Sequence, residues 1–312
     1  MHSRGGQALA MTAGMAADLA FGDPRRGHPV AVFGSAVAAS ENRLYRDSRA
    51  AGTGFTALWV SAAVLAGGLA GRAGPVGTAV ATFSAVGGTT LCRVGDRIAD
   101  ALDDGDLDGA RATLPSLVGR DPSSLDEAGI CRAAVESIAE NTSDATVAPL
   151  FWGALAGAPG LLGYRAVNTL DAMIGYRSSR YARFGWAAAR TDDAANLVPA
   201  RVTALLAGLL SGHPIRAVRA VRRDGGKHPS PNAGVVEAAF AGALGISLGG
   251  RTVYPHGVED RPVLGDGPAP RAAELRAAVR LSRRVQIASG LLAVLAVVRV
   301  PSPRAESVPV RS

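Results

Sequence analysis

Two long apolar runs follow one another between residues 55 and 92, and neither contains a charged residue. Residues 55–71 read FTALWVSAAVLAGGLAG and residues 75–92 read PVGTAVATFSAVGGTTLC, with Arg72 as the only charge between them. A helix needs about 20 apolar residues to cross the hydrocarbon core of a bilayer, with a working range of about 17–25. The two runs therefore predict a transmembrane hairpin with a short Gly/Pro turn.

Further apolar segments extend this pattern along the chain. Residues 285–300 form a third run, which is flanked by basic residues. Three further apolar segments are each interrupted by Gly or Pro, at 145–163, 197–212 and 233–250. Charged residues make up 19% of the chain, against about 25% in soluble domains. Strand signals are nearly absent. We predict an all-α, polytopic integral membrane protein with about four to six membrane-embedded helices, some of them short or broken.

The polar parts of the chain predict a single domain over residues 1–312. Apolar residues at helical spacing in the polar stretch 93–144 indicate short amphipathic helices, which we interpret as a cytoplasmic insert. Residues 262–270 are expected to form a loop, 271–284 a basic amphipathic helix that leads into the last apolar run, and 301–312 a disordered tail. The net charge of +7 comes from arginines scattered over the chain, which argues against a nucleic-acid partner.

The segment 145–163 decides whether the polar motifs on its two sides can share a site. If it crossed the bilayer, the motifs ESIAEN and YRAVNTLDAMIGY would face opposite compartments. It contains two prolines and four glycines, which are unfavourable in one straight helix. Broken helices are tolerated at membrane depth where they line a cavity. We therefore predict a re-entrant or half-buried hairpin here.

Polar and charged residues are concentrated beside the apolar segments between residues 136 and 201. Charge at the edge of a bilayer is costly, and a chain that carries it there usually uses it in a functional site. The residues are Glu136, Glu140, Asn141, Asp144, Asn168, Asp171, Arg177, Asp192, Asp193, Asn196 and Arg201. We expect them to form an active site.

Three carboxylates precede the re-entrant segment at helical spacing. Glu136, Glu140 and Asp144 lie at i, i+4 and i+8, so a continuous helix would place them on one face. Such a stripe is typical of catalytic acids and bases, but it is also typical of a solvated helix face that ends in a cap.

A second acidic motif follows at Asp192, Asp193 and Asn196. Their side-chain oxygens could converge on one hard cation, and Mg²⁺ is typically held by one or two carboxylates together with substrate phosphates. The alternative is that Thr191 or Asp192 caps the helix that continues through residues 197–210.

Basic and capping residues provide candidate anion sites. The run YRSSRYARFG, with Tyr176 and Arg177, could bind a phosphate or anchor the chain at the membrane interface. Arg201 could meet an anionic oxygen or extend to the membrane edge. Ser230 or Asn232 would cap a following helix whose N-terminus attracts anions. The neighbouring His228 is only weak evidence for a catalytic base.

Five motifs in order resemble a known family. They are GDP…HPV at 22–30, ESIAEN..DATVAPLF at 136–151, YRAVNTLDAMIGY at 164–176, FG…AR.DD..N.VPAR at 184–201 and SPNAG…A.AGALG..LGG at 230–250. Together they are similar to the adenosylcobinamide-phosphate synthases, the CobD/CbiB family of cobalamin biosynthesis. The resemblance extends from about residue 10 to about residue 300.

The resemblance implies a multi-pass enzyme of the cell membrane whose active site faces the cytoplasm. It implies that adenosylcobyric acid is joined by an amide bond to (R)-1-amino-2-propanol or its O-phosphate, with ATP as co-substrate and Mg²⁺. The implied partners are these substrates, the lipid bilayer and other corrinoid-pathway enzymes. The chain contains no Walker loop, G-x-x-x-x-G-K-[ST], so the nucleotide site would be unconventional.

We assign roles to the residues on this basis. Glu136 or Glu140 would take the proton of the incoming ammonium, and Asp144 would also be catalytic. Asp192, Asp193 and Asn196 would hold Mg²⁺. The residues expected to bind substrate are Asn141, Asn168, Asp171, Tyr176, Arg177, Arg201, Ser230 and Asn232.

Two other classes of protein share some of these features. A membrane phosphotransferase acting on a lipid-linked substrate also carries paired aspartates. A corrinoid transporter is the second alternative, but it should show pseudo-symmetric halves with paired broken helices, and the sequence contains no such repeat.

Overall fold

The computed structural model describes residues 4–24, 27–119, 121–176, 178–254 and 257–299, and most of these residues are helical. Arg177 and the predicted tail 301–312 lie outside the described residues. The helices are α1 (Arg4–Phe21), α2 (Pro29–Leu44), α3 (Arg49–Arg72), α4 (Pro75–Ala85), α5 (Gly88–Asp103), α6 (Leu107–Thr113), α7 (Glu127–Thr142), α8 (Ala148–Ile174), α9 (Tyr181–Phe184), α10 (Trp186–Ala195), α11 (Leu197–Leu210), α12 (Pro214–Asp224), α13 (Ala233–Leu244) and α14 (Ala272–Arg299). Two antiparallel strands, β1 (Leu248–Tyr254) and β2 (Gly257–Leu264), precede α14.

Three of the described helical segments are long and apolar enough to cross a membrane. They are Arg49–Arg72, Glu127–Ile174 and Ala272–Arg299, and the bent pair α10 and α11 would make a fourth if it acted as one span. The long helices expose large apolar side chains; Leu65 in α3 is 69% exposed and Leu291 in α14 is 62% exposed. Faces of this kind are stable against lipid rather than water. The all-α membrane class is therefore confirmed.

The first apolar hairpin is present, but its second arm is shorter than predicted. A 24-residue α3 packs against α4, which ends at Ala85 after 11 residues. The expectation of one continuous helix over 75–92 is wrong, because Val86 is extended and α5 begins only at Gly88. The Gly87 amide donates a hydrogen bond of 2.9 Å to the Ala145 carbonyl, which ties this break to the polar region.

The segment after α7 folds back on itself, as predicted. Gly157 interrupts α8 with φ 65° and ψ −148°, a conformation that only glycine adopts readily. Asn168 Nδ2 lies 3.3 Å from Asp144 Oδ2, although a straight helix would separate two residues 24 positions apart by about 36 Å. The arms 145–156 and 158–174 are about 18 Å and about 25 Å long, and both are shorter than the hydrocarbon core of about 30 Å. Residues 145–174 therefore form a hairpin that brings the motifs at its two ends together.

The described part of the polar stretch 93–144 is mostly helical and packs into the largest core cluster. Ile98 of α5, Ile138 of α7, Phe240 of α13 and Val279 of α14 are all buried in this cluster. The predicted basic helix 271–284 and the last apolar run form the single helix α14.

The β-hairpin was not predicted. It pairs Leu248 with Leu264 and includes the first residues of the predicted loop 262–270. Gly249 and Gly250 have positive φ, and their lack of side chains hides the strand in the sequence pattern. The Gly249 amide donates to Glu136 Oε1 at 2.8 Å, so the hairpin is fixed to α7 through a buried carboxylate.

The close approach of α3 to α9 depends on Gly52. A Cβ atom at this position would overlap the carbonyl oxygen of Phe184, whereas one at Gly54 in the same helix would meet nothing within 4 Å. We expect Gly52→Ala to lower the free energy of unfolding by about 1–3 kcal/mol through overpacking. Thermal unfolding of the purified protein in detergent measures this effect.

Gly54→Ala is the matched control, since it makes the same chemical change in the same helix. Its stability should equal or slightly exceed that of the parent, because alanine favours the helix. Equal loss of stability in the two variants would contradict the packing explanation.

Candidate active site

A polar cavity of about 320 Å³ lies where α7, α8, α10, α11 and α13 meet. Its lining includes nine of the predicted site residues, and four of these nine are carboxylates. The lining residues are Glu140, Asn141, Ser143, Asp144, Asn168, Asp171, Ala172, Asp192, Asn196, Ala200, Ser230, Asn232, Ala233 and Val236. The described lining contains no Lys or Arg, so the cavity favours cations.

A short π-helix places Asp144 in the cavity wall. Residues Ser143–Val147 adopt this wider turn between α7 and α8. Such turns are rare and occur frequently at functional sites. Asp144 then accepts a hydrogen bond from Asn168, on the returning arm of the re-entrant hairpin. The two motifs that flank the hairpin thus share one site.

Asp192 lies inside α10 and is oriented by Asn196. Asn196 Nδ2 donates to Asp192 Oδ2 at 3.0 Å, and Asn196 Oδ1 accepts from the Tyr164 hydroxyl at 2.8 Å. Both ends of the amide are therefore engaged, and Asn196 positions Asp192. The alternative in which Thr191 or Asp192 caps the following helix is wrong, because both residues lie inside α10 and the N-cap position of α11 is Asn196. The second oxygen of Asp192 is buried and makes no hydrogen bond of ordinary length.

Asp193 is separated from Asp192 by the helical turn. Its side chain is 30% exposed and lies 3.7 Å from Arg190 Nη1, and it is not part of the cavity lining. Its main-chain oxygen accepts a hydrogen bond of 2.8 Å from Asn232 Nδ2. The structure therefore brings Asp192 and Asn196 to the cavity but not the carboxylate of Asp193.

The start of α13 forms one rim of the cavity. Ser230 Oγ accepts hydrogen bonds from the amides of Asn232 and Ala233 at 3.3 and 3.2 Å, so the predicted capping role belongs to Ser230. Asn232 instead accepts a 2.6 Å hydrogen bond from Arg201 Nη1. Arg201 thus lies at the rim of the cavity and contacts its lining through Asn232.

Two predicted residues lie away from the cavity. Glu136 is buried in the core, where it accepts from the Gly249 amide and lies 3.8 Å from Arg261 Nη1. The predicted carboxylate stripe is therefore split, with Glu140 and Asp144 in the cavity wall and Glu136 behind it. Tyr176 is exposed and packs edge-to-face on Tyr181. The roles predicted for Glu136 and Tyr176 stay predictions.

Sequence reasoning missed Tyr164 and Glu237. Glu237 is the only charged residue of the apolar helix AGVVEAAFAGAL, and an isolated acid of this kind was the signal that could have found it. Its Oε1 atom lies 3.8 Å from His228 Nε2. Burial, followed by the charge of Arg261, lowers the pKa of His228 and so favours its neutral form.

The hydroxyl of Tyr164 is expected to stabilise the site through Asn196. Tyr164→Phe would leave the Asn196 oxygen buried without its donor, which should lower the free energy of unfolding by about 1–3 kcal/mol. Tyr176→Phe removes the same hydroxyl from an exposed ring and is the matched control. Thermal unfolding in detergent compares the stability of the two variants. An equal loss of stability in both would show that the hydrogen bond to Asn196 does not stabilise the protein.

Comparisons with known proteins identify the family of the chain. The family model described as CobD/Cbib protein matches residues 11–282. The chain is similar to the cobalamin biosynthesis protein CobD of Mycobacterium tuberculosis strain H37Rv, with 56% identity over 302 residues, covering 94% of this chain and 96% of that protein. The protein of the same name from Geobacter metallireducens is 43% identical over 297 residues, covering 89% of this chain and 93% of that protein.

No solved structure matches the chain. The family match covers most of the chain, and the relatives are matched over nearly their whole length. The chain therefore belongs to the CobD/CbiB family of cobalamin biosynthesis proteins.

Proposed function

We propose that the protein forms an amide bond between adenosylcobyric acid and (R)-1-amino-2-propanol or its O-phosphate, with ATP as co-substrate. The observation that carries the proposal is the polar cavity, which has four carboxylates and no Lys or Arg in its described lining. An acidic cavity of this kind attracts the ammonium group of an amino alcohol. It also suits a phosphate that arrives with a divalent cation, whereas a free anion would be repelled.

The cavity residues fit Mg²⁺. This ion prefers oxygen ligands and is usually held by one or two carboxylates together with substrate phosphates. Asp192 offers a buried oxygen that makes no hydrogen bond of ordinary length, and Asp171 and Asn168 line the same cavity. When bound there, Mg²⁺ would neutralise charge on phosphate oxygens. Arg201 at the rim could meet a further anionic oxygen.

The amine must lose a proton before its nitrogen can form the amide bond. Asp144 and Glu140 both line the cavity, so a carboxylate is within reach of a bound ammonium. The corrinoid carboxylate needs activation as well, most simply by taking the γ-phosphoryl group of ATP. The amine nitrogen then forms the C–N bond, and phosphate leaves with the oxygen it received. A corrin ring is too large for a cavity of about 320 Å³, so only its carboxylate arm would enter.

The direct test is an assay of the purified protein with adenosylcobyric acid, Mg-ATP and either the amino alcohol or its phosphate. The expected result is an amide product together with ADP and phosphate. Absence of product with both amines would overturn the proposal. Uptake of intact corrinoid into proteoliposomes, without conversion, would instead favour a transporter.

Asp192 and Asp193 are adjacent in the chain, but only Asp192 lines the cavity, so their variants form a matched pair. We expect Asp192→Asn to lower kcat by at least about 100-fold. Mutations of residues that only support metal ligands already cost about 10–100-fold, and Asp192 is proposed to be a ligand itself. Asp193→Asn should keep a rate near that of the parent, because its carboxylate faces Arg190 outside the cavity. Similar losses in both variants would contradict the assignment of Asp192 to the metal.

The cavity is proposed to open to the cytoplasm, where ATP is available. In a background without Cys92 and Cys131, a membrane-impermeant maleimide should label Ser178→Cys and Ser230→Cys in inside-out vesicles only. Labelling of both from the outside would reverse the orientation. Labelling of the two positions from opposite sides would contradict a single site.

A further inference from the structure

We propose that Glu140, His228 and Glu237 form a second cation site, which binds a divalent transition metal ion of the Zn²⁺ class. This cluster lies beside the cavity, and it does not include Asp192 or the other residues assigned to Mg²⁺. The inference rests on the geometry of three side chains and not on the proposed reaction.

The three side chains come from separate parts of the fold. Glu140 belongs to α7, Glu237 to α13 and His228 to the connection that precedes α13. One ligand atom from each side chain can be chosen so that all three lie within 4.8 Å of one another. His228 Nε2 and Glu237 Oε1 are 3.8 Å apart. Ligand atoms around a tetrahedral Zn²⁺ are about 3.3 Å apart, so a small contraction around the ion is sufficient.

Burial supports the assignment independently of this spacing. The side chains of His228 and Glu237 are only 5% and 1% exposed. Neither His228 Nε2 nor Glu237 Oε1 makes a hydrogen bond of ordinary length, and both atoms face each other. Buried polar atoms without partners are costly and therefore rare. A metal ion between them would satisfy both atoms at once.

The ring of His228 is held in a suitable orientation. Its Nδ1 atom accepts a hydrogen bond of 3.1 Å from the Ser230 amide and lies 3.4 Å from the Ser230 carbonyl oxygen. When Nε2 binds a cation, the ring proton would move to Nδ1, which would then donate to the Ser230 carbonyl. Ligating histidines commonly donate their other ring nitrogen to a backbone carbonyl in this way.

The mixed donor set selects the class of metal. Imidazole nitrogen suits Zn²⁺ and related transition metals, whereas Mg²⁺ prefers an all-oxygen environment. Glu136, one helical turn before Glu140 in α7, is already engaged by the Gly249 amide and lies 3.8 Å from Arg261 Nη1. Three protein ligands would leave a coordination position for water or substrate, as in catalytic zinc sites. Because Glu140 also lines the cavity, that position would lie at the cavity edge, and Asp144 would remain for proton transfer.

The test uses the untagged full-length protein, stripped with a chelator and then titrated with Zn²⁺ alone. We expect about one Zn²⁺ per chain, and X-ray absorption at the zinc edge should show N and O ligands at about 2.0–2.2 Å with imidazole scattering. His228→Asn, Glu237→Gln and Glu140→Gln should each raise the Kd for Zn²⁺ by at least about 100-fold. The absorption spectrum of the parent protein stays informative even if a variant fails to fold.

Two controls separate this site from the rest of the protein. His213→Asn replaces an exposed histidine before α12 and should leave Zn²⁺ binding unchanged. Asp192→Asn should also keep the bound Zn²⁺ while it loses amide synthesis. The proposal is overturned if the parent binds Zn²⁺ no more tightly than His228→Asn, or if Asp192→Asn alone loses the ion. Zn²⁺ binding without any amide product would overturn the proposed function only.

Discussion

The reversal of α8 at Gly157 is the constraint on which the site depends. It turns the second arm of α8 back alongside the first arm. Asn168 therefore contacts Asp144, although the two residues are 24 positions apart in the chain. Without the reversal these motifs would lie on opposite sides of the bilayer. The indole nitrogen of Trp152 in the first arm donates to the Ala195 carbonyl at 3.1 Å, which holds the end of α10 beside the hairpin. One glycine conformation thus brings three motifs of the family together.

The electrostatics of the cavity follow from this arrangement. Carboxylates from α7, α8 and α10 line one small space, with Arg201 held outside it by Asn232. Like charges so close together are unfavourable unless protons or cations accompany them. The protein orients Asp192 with an amide and a hydroxyl, as the hydrogen bonds through Asn196 show. A site built in this way is prepared for cationic ligands.

Part of the site was predictable because its residues stand out against apolar surroundings. Glu140, Asp144, Asn168 and Asp192 were all found in this way, and all line the cavity. The sequence pattern does not give the direction in which each side chain points. It could not separate Asp192 from Asp193 or place Glu136 behind the cavity wall, since neighbouring residues on a helix point to different sides and the packing partner decides which side is functional. The hairpin β1–β2 was missed because its glycines carry no strand pattern.

The amino-acid sequence by itself determined the membrane class, the helical architecture and the re-entrant segment, because apolar length and Gly/Pro content act locally along the chain. It also determined the family, through five motifs in fixed order. Only the tertiary structure decided which acids meet. The pairing of His228 with Glu237, the break at Gly87 and the shift of Asp193 to the surface depend on contacts between segments distant in the chain. Such contacts are set by packing in three dimensions, which no local pattern records.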